Sequence, residues 1–305
     1  MTQTPAQAAG PTHDGSSVLA GLGCYLIWGA FPLFWPLLKP AGALEILSGR
    51  IIFSLLFVLA VLVLQRKGWG WVRTALRPDV WPWMLAASVL IGINWCTYIW
   101  AVNSNHVVEA SLGYFINPLV SIALGMLLFG ERMGRYGQVG CLLAGIGVVV
   151  IASGNWRTLW VSLLLAFSFG LYGAMKKRAR LGALQGLAVE SAVLTPLALG
   201  WLVWLAVRGE GQLGVNPRIS LLLVVAGVLT AVPLWLFAVA APGIPLSTLG
   251  IIQYCSPTIQ LLLGLFVFGQ RVGVGYWIGM VLVWVGCLAY LMGAVLTARR
   301  SPAGA

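Results

Sequence analysis

Four charged residues stand inside stretches of sequence that are otherwise apolar. Glu45 and Arg50 share one stretch, Glu109 opens another, and Glu190 lies in a third. A charged side chain inside hydrocarbon is costly unless it is paired or faces a polar cavity, which makes these residues candidates for function. Arg50 could hold an anionic group, and one of the carboxylates could carry a coupling proton. An ion pair that only fixes helix register, for instance Arg50 with Glu109, is the structural alternative.

Uncharged polar residues extend this candidate site along neighbouring stretches. Asn94 and Tyr98 are four residues apart, which places them on one face of a helix, and Glu109 and Asn117 share a face in the same way. Residues 253–260 form a further polar stripe. The predicted substrate-binding residues are therefore Arg50, Asn94, Tyr98, Glu109, Asn117, Glu190, Gln253 and Tyr254.

Motifs for catalysis or for cofactor binding are missing from the sequence. It has no zinc-spaced His/Cys cluster, nucleophile elbow, nucleotide-binding loop or dinucleotide fingerprint. Its two histidines, His13 and His106, are too isolated for a histidine-based site. We therefore predict no catalytic residue, no metal and no cofactor. With no ATP-binding motif, any energy-requiring step would have to draw on an ion gradient, for which a proton is one candidate.

The elements that must position these residues are predicted to be transmembrane helices. Only 8% of the 305 residues are charged while 60% are hydrophobic, and soluble domains carry about 25% charged residues. This composition excludes soluble globular, disordered and disulfide-rich secreted proteins. The apolar runs are continuous and helix-length rather than alternating, which excludes an outer-membrane barrel. Ten such runs fit between residues 18 and 297, so we predict an all-α membrane protein with ten transmembrane helices.

A weak internal repeat divides the chain into two halves. A shift of 139 residues aligns residues 117–150 with residues 256–289 at ten identical positions, five of which are glycine pairs. An odd number of helices per half would make the second half enter the membrane in the opposite orientation, as in alternating-access transporters. A duplication that only builds a stable bundle is the alternative. We predict a disordered cytoplasmic segment (1–17), two inverted five-helix repeats (18–153 and 156–297) and a cytoplasmic tail (298–305).

Lysine and arginine are distributed unevenly between the predicted connections. Twelve lie on the side that contains both termini and five lie on the opposite side, while Arg50 is inside a span. The positive-inside rule therefore predicts that both termini are cytoplasmic. We interpret the formal net charge of +11 as a topology signal and as contact with anionic lipid rather than as nucleic-acid binding.

Six segments carry recognisable motifs: YLIWGAFPLFWPLL (25–38), ALEILSGRII (43–52), NWCTYIWAVN (94–103), VVEASLGYFINPL (107–119), FSFGLYGAMKK (167–177) and PLSTLGIIQYCSPTIQ (245–260). Together they resemble the RarD branch of the EamA-type transporters, in the drug/metabolite transporter superfamily. The chain departs from that pattern at Gly49, where a histidine is common, and at Gln270, where a glutamate is common. The resemblance implies a ten-helix permease of the bacterial inner membrane with cytoplasmic termini, which exports or exchanges small metabolites or drugs.

The sequence thus predicts a secondary active transporter that moves a small molecule by alternating access. Its partners would be that substrate and the lipid bilayer, with a proton as one candidate coupling ion. It would act as a monomer or a homodimer. A membrane-embedded enzyme or lipid-handling protein without transport activity is one alternative. A structural membrane subunit is another, and it would have a dry, filled centre in place of a polar path.

Overall fold

The computed structural model describes residues 15–66, 68–129, 134–240 and 252–300, and the regular elements within these ranges are helices. Eight of the described helices are long and apolar enough to cross a membrane, and two shorter apolar stretches, Cys255–Val267 and Val274–Ala289, follow them. Ten transmembrane helices therefore stay a prediction. The helices are α1 (Gly15–Phe34), α2 (Ala43–Leu64), α3 (Gly70–Ala75), α4 (Trp81–Asn103), α5 (Val107–Phe129), α6 (Arg135–Asn155), α7 (Leu159–Ala179), α8 (Ala183–Arg208), α9 (Pro217–Ala240), α10 (Cys255–Leu262) and α11 (Val274–Arg300).

Two α-helices continue into short turns of another helical type. α1 continues into a 3-10 turn, Trp35–Leu38, whose start holds Pro36, a helix position that proline tolerates. α10 continues into a π-helical turn, Leu263–Val267. α1 already begins at Gly15, within the segment predicted to be disordered, and residues 1–14 of that segment lie outside the described residues. Glu131, one of the seven acidic residues, also lies outside the described residues.

Glycines bring α6 and α11 into close antiparallel contact. A Cβ atom added to Gly147 would lie 2.5 Å from the carbonyl oxygen of Gly279, and one added to Gly286 would lie 2.5 Å from that of Gly140. The lower-numbered glycine of α6 thus meets the higher-numbered glycine of α11. Small residues allow this backbone approach between membrane helices. In the repeat, Gly140 corresponds to Gly279 and Gly147 to Gly286. Exchanging each glycine for its counterpart therefore converts one contact into the other, as a two-fold axis between the two helices would.

The remaining helices pack around α2, α4 and α7. α2 packs against α8 and α9, α4 against α7 and α8, and α1 against α9 and α10. Buried residues of six helices form one apolar cluster, which includes Ile46, Ile99, Leu165 and Leu223. Large apolar side chains also cover the outside of the bundle, where Leu127 is 80% exposed. Such a surface fits a lipid environment, and the chain is a multi-pass membrane protein.

Candidate substrate site

Arg50 lies in α2, where this helix approaches α9 closely. A Cβ atom on the preceding residue, Gly49, would lie only 2.9 Å from Leu223 of α9. The small residue at position 49 therefore lets the two helices meet. Arg50 is 4% exposed, and its Nε donates a hydrogen bond to Oγ1 of Thr230 at 2.7 Å. The Thr230 hydroxyl in turn donates to the carbonyl oxygen of Ala226 at 2.8 Å, so its orientation is fixed.

Three aromatic rings surround the Arg50 guanidinium. Its Cζ atom lies 4.2 Å from the ring centroid of Trp95, 5.2 Å from Trp35 and 5.8 Å from Phe31. These rings come from α1, the 3-10 turn that follows it, and α4. Each cation–π contact is worth about 0.5–2 kcal/mol. The rings therefore offset part of the cost of removing the guanidinium from water.

Buried polar atoms without a hydrogen-bond partner gather around this cation. Among the described residues, Arg50 Nη1, the Tyr98 hydroxyl and Trp35 Nε1 are buried and find no partner. Tyr98 belongs to the same buried cluster as Trp35 and Phe31, the rings of which lie beside the guanidinium. A buried polar group left without a partner costs about 1–3 kcal/mol. Acceptor atoms supplied by a ligand would remove that cost, so these three atoms identify the best candidate for a binding site.

Asn94 links the tyrosine side of this cluster to α7 by hydrogen bonds. Its Nδ2 donates to the carbonyl oxygen of Leu165 and to Oγ of Ser168, each at 3.0 Å, which ties α4 to α7. Its Oδ1 accepts a hydrogen bond from the Tyr114 hydroxyl at 3.2 Å. The Tyr114 ring contacts the Tyr98 ring edge to face, with centroids 5.6 Å apart. Asn94 therefore positions the tyrosine pair beside Arg50.

The structure places Glu190 in an ion pair away from Arg50. Its Oε1 lies 2.7 Å from Nζ of Lys176, and its Oε2 accepts a hydrogen bond from the Tyr172 hydroxyl at 3.3 Å. Glu190 is 1% exposed. The partners lie near the end of α7 and the start of α8, where the chain turns between these two helices. This geometry corresponds to the structural alternative for Glu190.

Glu109 pairs with a neighbour at the opposite end of the bundle. Its Oε1 lies 3.5 Å from Nδ1 of His106, and within the described chain no ion pair joins it to Arg50. Both residues line a cavity of about 340 Å³, together with Gln270, Arg271 and other residues of the α4–α5, α6–α7 and α10–α11 connections. The Arg50–Glu109 pair suggested as the structural alternative is therefore not formed.

The other described acidic residues also have interaction partners, and none of these partners is Arg50. Glu45 Oε1 accepts hydrogen bonds from the backbone N–H groups of Gln212 at 2.6 Å and Leu213 at 3.0 Å. Exposed Asp79 and Glu210 pair with neighbouring arginines. Five of the seven acidic residues lie in the described ranges, and each of the five has its partner elsewhere. Arg50 thus has no carboxylate partner among the residues that the structure describes.

Asn117, Gln253 and Tyr254 do not join Arg50 in the described contacts. Asn117 Oδ1 accepts a hydrogen bond from Ser121, one turn along α5, at 3.5 Å. The Tyr254 ring stacks on Phe115, with centroids 6.1 Å apart. Gln253 is half-buried in the turn before α10. Their assignment to a substrate path stays a prediction.

Sequence reasoning missed several side chains of this site. Thr230 is a lone hydroxyl in an apolar run, and Trp35 and Trp95 resemble ordinary core or interface aromatics. Tyr114 carried a signal, because it lies in the same apolar helix as the polar candidates Glu109 and Asn117. Its hydroxyl, between Glu109 and Asn117 in the sequence, is the feature that could have identified it as a candidate.

Comparisons with known proteins agree with this architecture. The profile described as the EamA-like transporter family matches residues 15–153 and 156–292. Protein RarD of Streptomyces exfoliatus is 47% identical, covering 94% of this chain and 92% of its own. The uncharacterized transporter YojE of Bacillus subtilis is 42% identical (91% and 94%), and Protein RarD of Escherichia coli is 40% identical (93% and 96%). A solved crystal structure with 18% identity aligns at a TM-score of 0.61, covering 93% of this chain and 99% of its own, which supports the fold alone.

Proposed function

Because this chain belongs to the EamA-like transporter family, whose profile it matches in both halves, we propose that it is a secondary transporter working by alternating access. The observation that carries the proposal is the buried Arg50 site. α1, α2 and α4 of the first half and α9 of the second supply its residues, so a ligand there would contact both halves. Binding at the interface of two repeats is typical of such transporters.

We further propose that the two halves are inverted repeats, with residues 18–153 and 156–297 as the units. The antiparallel contact of α6 with α11 supports this, since the repeat shift exchanges its two glycine contacts. The predicted topology places both termini in the cytoplasm, in a bacterial inner membrane. The α4–α5 connection then lies at the outer end, and the Lys176–Glu190 pair lies towards the inner end.

Hydrogen bonds join the two halves at the proposed outer end. Gln270 Oε1 accepts a hydrogen bond from the backbone N–H of Val108 at 2.8 Å, and its Nε2 donates to the carbonyl oxygen of Asn105. These three residues, which we name the outer clasp, join the two halves. Alternating access requires this clasp to open when the outer end opens. We also propose that the protein exports its substrate and that an ion gradient drives this export. A proton is one candidate for the coupling ion.

Distance measurement by electron spin resonance tests alternating access without a known substrate. Labels would be attached to cysteines introduced at exposed Ser104 and Gly273, on the two sides of the outer clasp, in a background without the native cysteines. We expect two distance populations in nanodiscs, with the longer one enriched by Gln270→Ala. A label pair at Gly182 and Arg208, at the two ends of α8, serves as a rigid control. One fixed outer distance in every condition and variant would contradict the proposal.

A further inference from the structure

We infer that the Arg50 site binds the carboxylate group of a small organic monoanion with an apolar body, an assignment that rests on the transport function proposed above. The residues concerned are Arg50, Phe31, Trp35, Trp95 and Tyr98, which we name the Arg50 cage. Each of them is at least nine-tenths buried. The assignment follows from the kind of polar atom left without a partner, from the charge and from the shape of the cage.

The unpartnered polar atoms of the cage are suited to a ligand that accepts hydrogen bonds. The guanidinium nitrogens of Arg50 and the indole nitrogen of Trp35 can only donate, and the Tyr98 hydroxyl can donate. A ligand ammonium or amide N–H group would find donors facing it instead of acceptors. The Asn94 oxygen nearby already accepts from Tyr114. The cage therefore favours an acceptor group over a cation.

The charge of the cage favours a ligand with one negative charge. Arg50 is a buried cation, and the five described acidic residues all have partners elsewhere. A bound monoanion would neutralise it, and a charge-assisted hydrogen bond is about twice as strong as a neutral one. A second negative charge on the ligand would stay buried without a partner, at a cost of several kcal/mol.

The shape of the cage favours a planar carboxylate and an apolar body. Rings of Trp95, Trp35 and Phe31 lie within 4.2–5.8 Å of the guanidinium carbon, and Thr230 occupies the Nε edge. Nη1 finds no partner among the described residues, so its N–H groups are available to an acceptor, and a carboxylate offers arginine a planar fork of two acceptors. The aromatic walls and the surrounding apolar cluster would contact the rest of the ligand and disfavour further polar groups.

Binding to the purified full chain in nanodiscs tests this inference. The probes are benzoate and 4-methylpentanoate, each with its matched amide and amine, plus inorganic phosphate, titrated by calorimetry and followed by tryptophan fluorescence. We expect the carboxylates to bind at least tenfold more tightly than their amides and amines. We expect Arg50→Gln to weaken carboxylate binding at least tenfold, and Tyr98→Phe to weaken it several-fold. Arg77→Gln, which changes an exposed arginine paired with Asp79, should leave it unchanged.

Other results would overturn the assignment. Equal or tighter binding of the amides or amines, tighter binding of phosphate, no binding of either carboxylate, or unchanged binding in Tyr98→Phe would each contradict it. If Arg50→Gln does not fold, the ligand series and Tyr98→Phe still decide the question. Carboxylate binding without flux in liposomes would contradict transport and leave the binding assignment intact. Flux of a cationic compound without carboxylate binding would contradict the binding assignment and leave transport intact.

Discussion

Replacing the buried cation Arg50 with methionine should change the stability of the protein very little, whereas the same change at Lys176 should be strongly destabilising. Both side chains are long cations within the helical bundle. Lys176 lies 2.7 Å from a buried carboxylate, that of Glu190, while Arg50 has no carboxylate partner within the described residues. The two variants therefore separate a structural ion pair from a cation retained for binding.

The expected magnitudes follow from the contacts of each residue. Lys176→Met leaves Glu190 buried without its partner, which costs about 3 kcal/mol, the low end for such pairs because Lys176 is partly exposed. Arg50→Met loses one charged hydrogen bond, about 1.5–3 kcal/mol, and the cation–π contacts, about 0.5–2 kcal/mol each. It also removes the desolvation cost of a buried ion, which is several kcal/mol. These terms nearly cancel, so we expect a net change below about 1.5 kcal/mol.

Thermal unfolding in one detergent, followed by intrinsic fluorescence at one scan rate, provides the assay. At about 2–4 °C per kcal/mol, Lys176→Met should lower the Tm by about 6–12 °C, and Arg50→Met should shift it by at most half as much, about 3–6 °C, in either direction. The double variant Lys176→Met/Glu190→Gln should recover part of the loss, because it removes the stranded charge. A Tm loss for Arg50→Met as large as that for Lys176→Met would refute the reasoning, since Arg50 would then have a structural partner.

Two further variants test the packing and the outer clasp. Gly147→Ala should destabilise the α6–α11 contact by about 1–3 kcal/mol, because its Cβ would lie 2.5 Å from the Gly279 carbonyl oxygen. Gly145→Ala, with no neighbour within 4 Å, is its matched control, and equal Tm values for the two would contradict the close contact. Gln270→Glu should raise the rate of thiol labelling at a cysteine introduced at buried Ser162, which lines the cavity beside the clasp, because a carboxylate cannot donate to the Asn105 carbonyl as the amide does. An unchanged labelling rate would show that this donation does not hold the clasp closed.

The sequence predicted the helices better than the roles of their charged residues. Hydrocarbon must be spanned by continuous apolar helices, so the apolar stretches that hold Arg50 and Asn94 correspond to α2 and α4. Because charged residues are rare inside these stretches, the sequence also identified Arg50, which is the centre of the candidate site. Glycine pairs in one register indicated the repeat, and two of these pairs form the contact between α6 and α11.

Partners of the charged residues could not be predicted, because they depend on how separate helices pack. The sequence gives the depth of Glu190 in its helix but not that Lys176, 14 residues earlier, turns back towards it. It also suggested Glu109 as a partner for Arg50, but the structure pairs Glu109 with His106, three residues away. The Arg50 cage escaped prediction for a similar reason. Its aromatic residues have the composition of an ordinary core, and only their packing around a cation distinguishes them.

Flux in proteoliposomes tests most directly that this protein is a transporter that uses the Arg50 site. The test compound is the one that raises the Tm most in a screen of metabolites and drugs, measured with and without a proton gradient. We expect the wild type and Arg77→Gln to transport it and Arg50→Gln to lose most of the flux, at equal amounts of inserted protein. Equal flux through Arg50→Gln, or no flux through the wild type for a compound that it binds, would contradict the account.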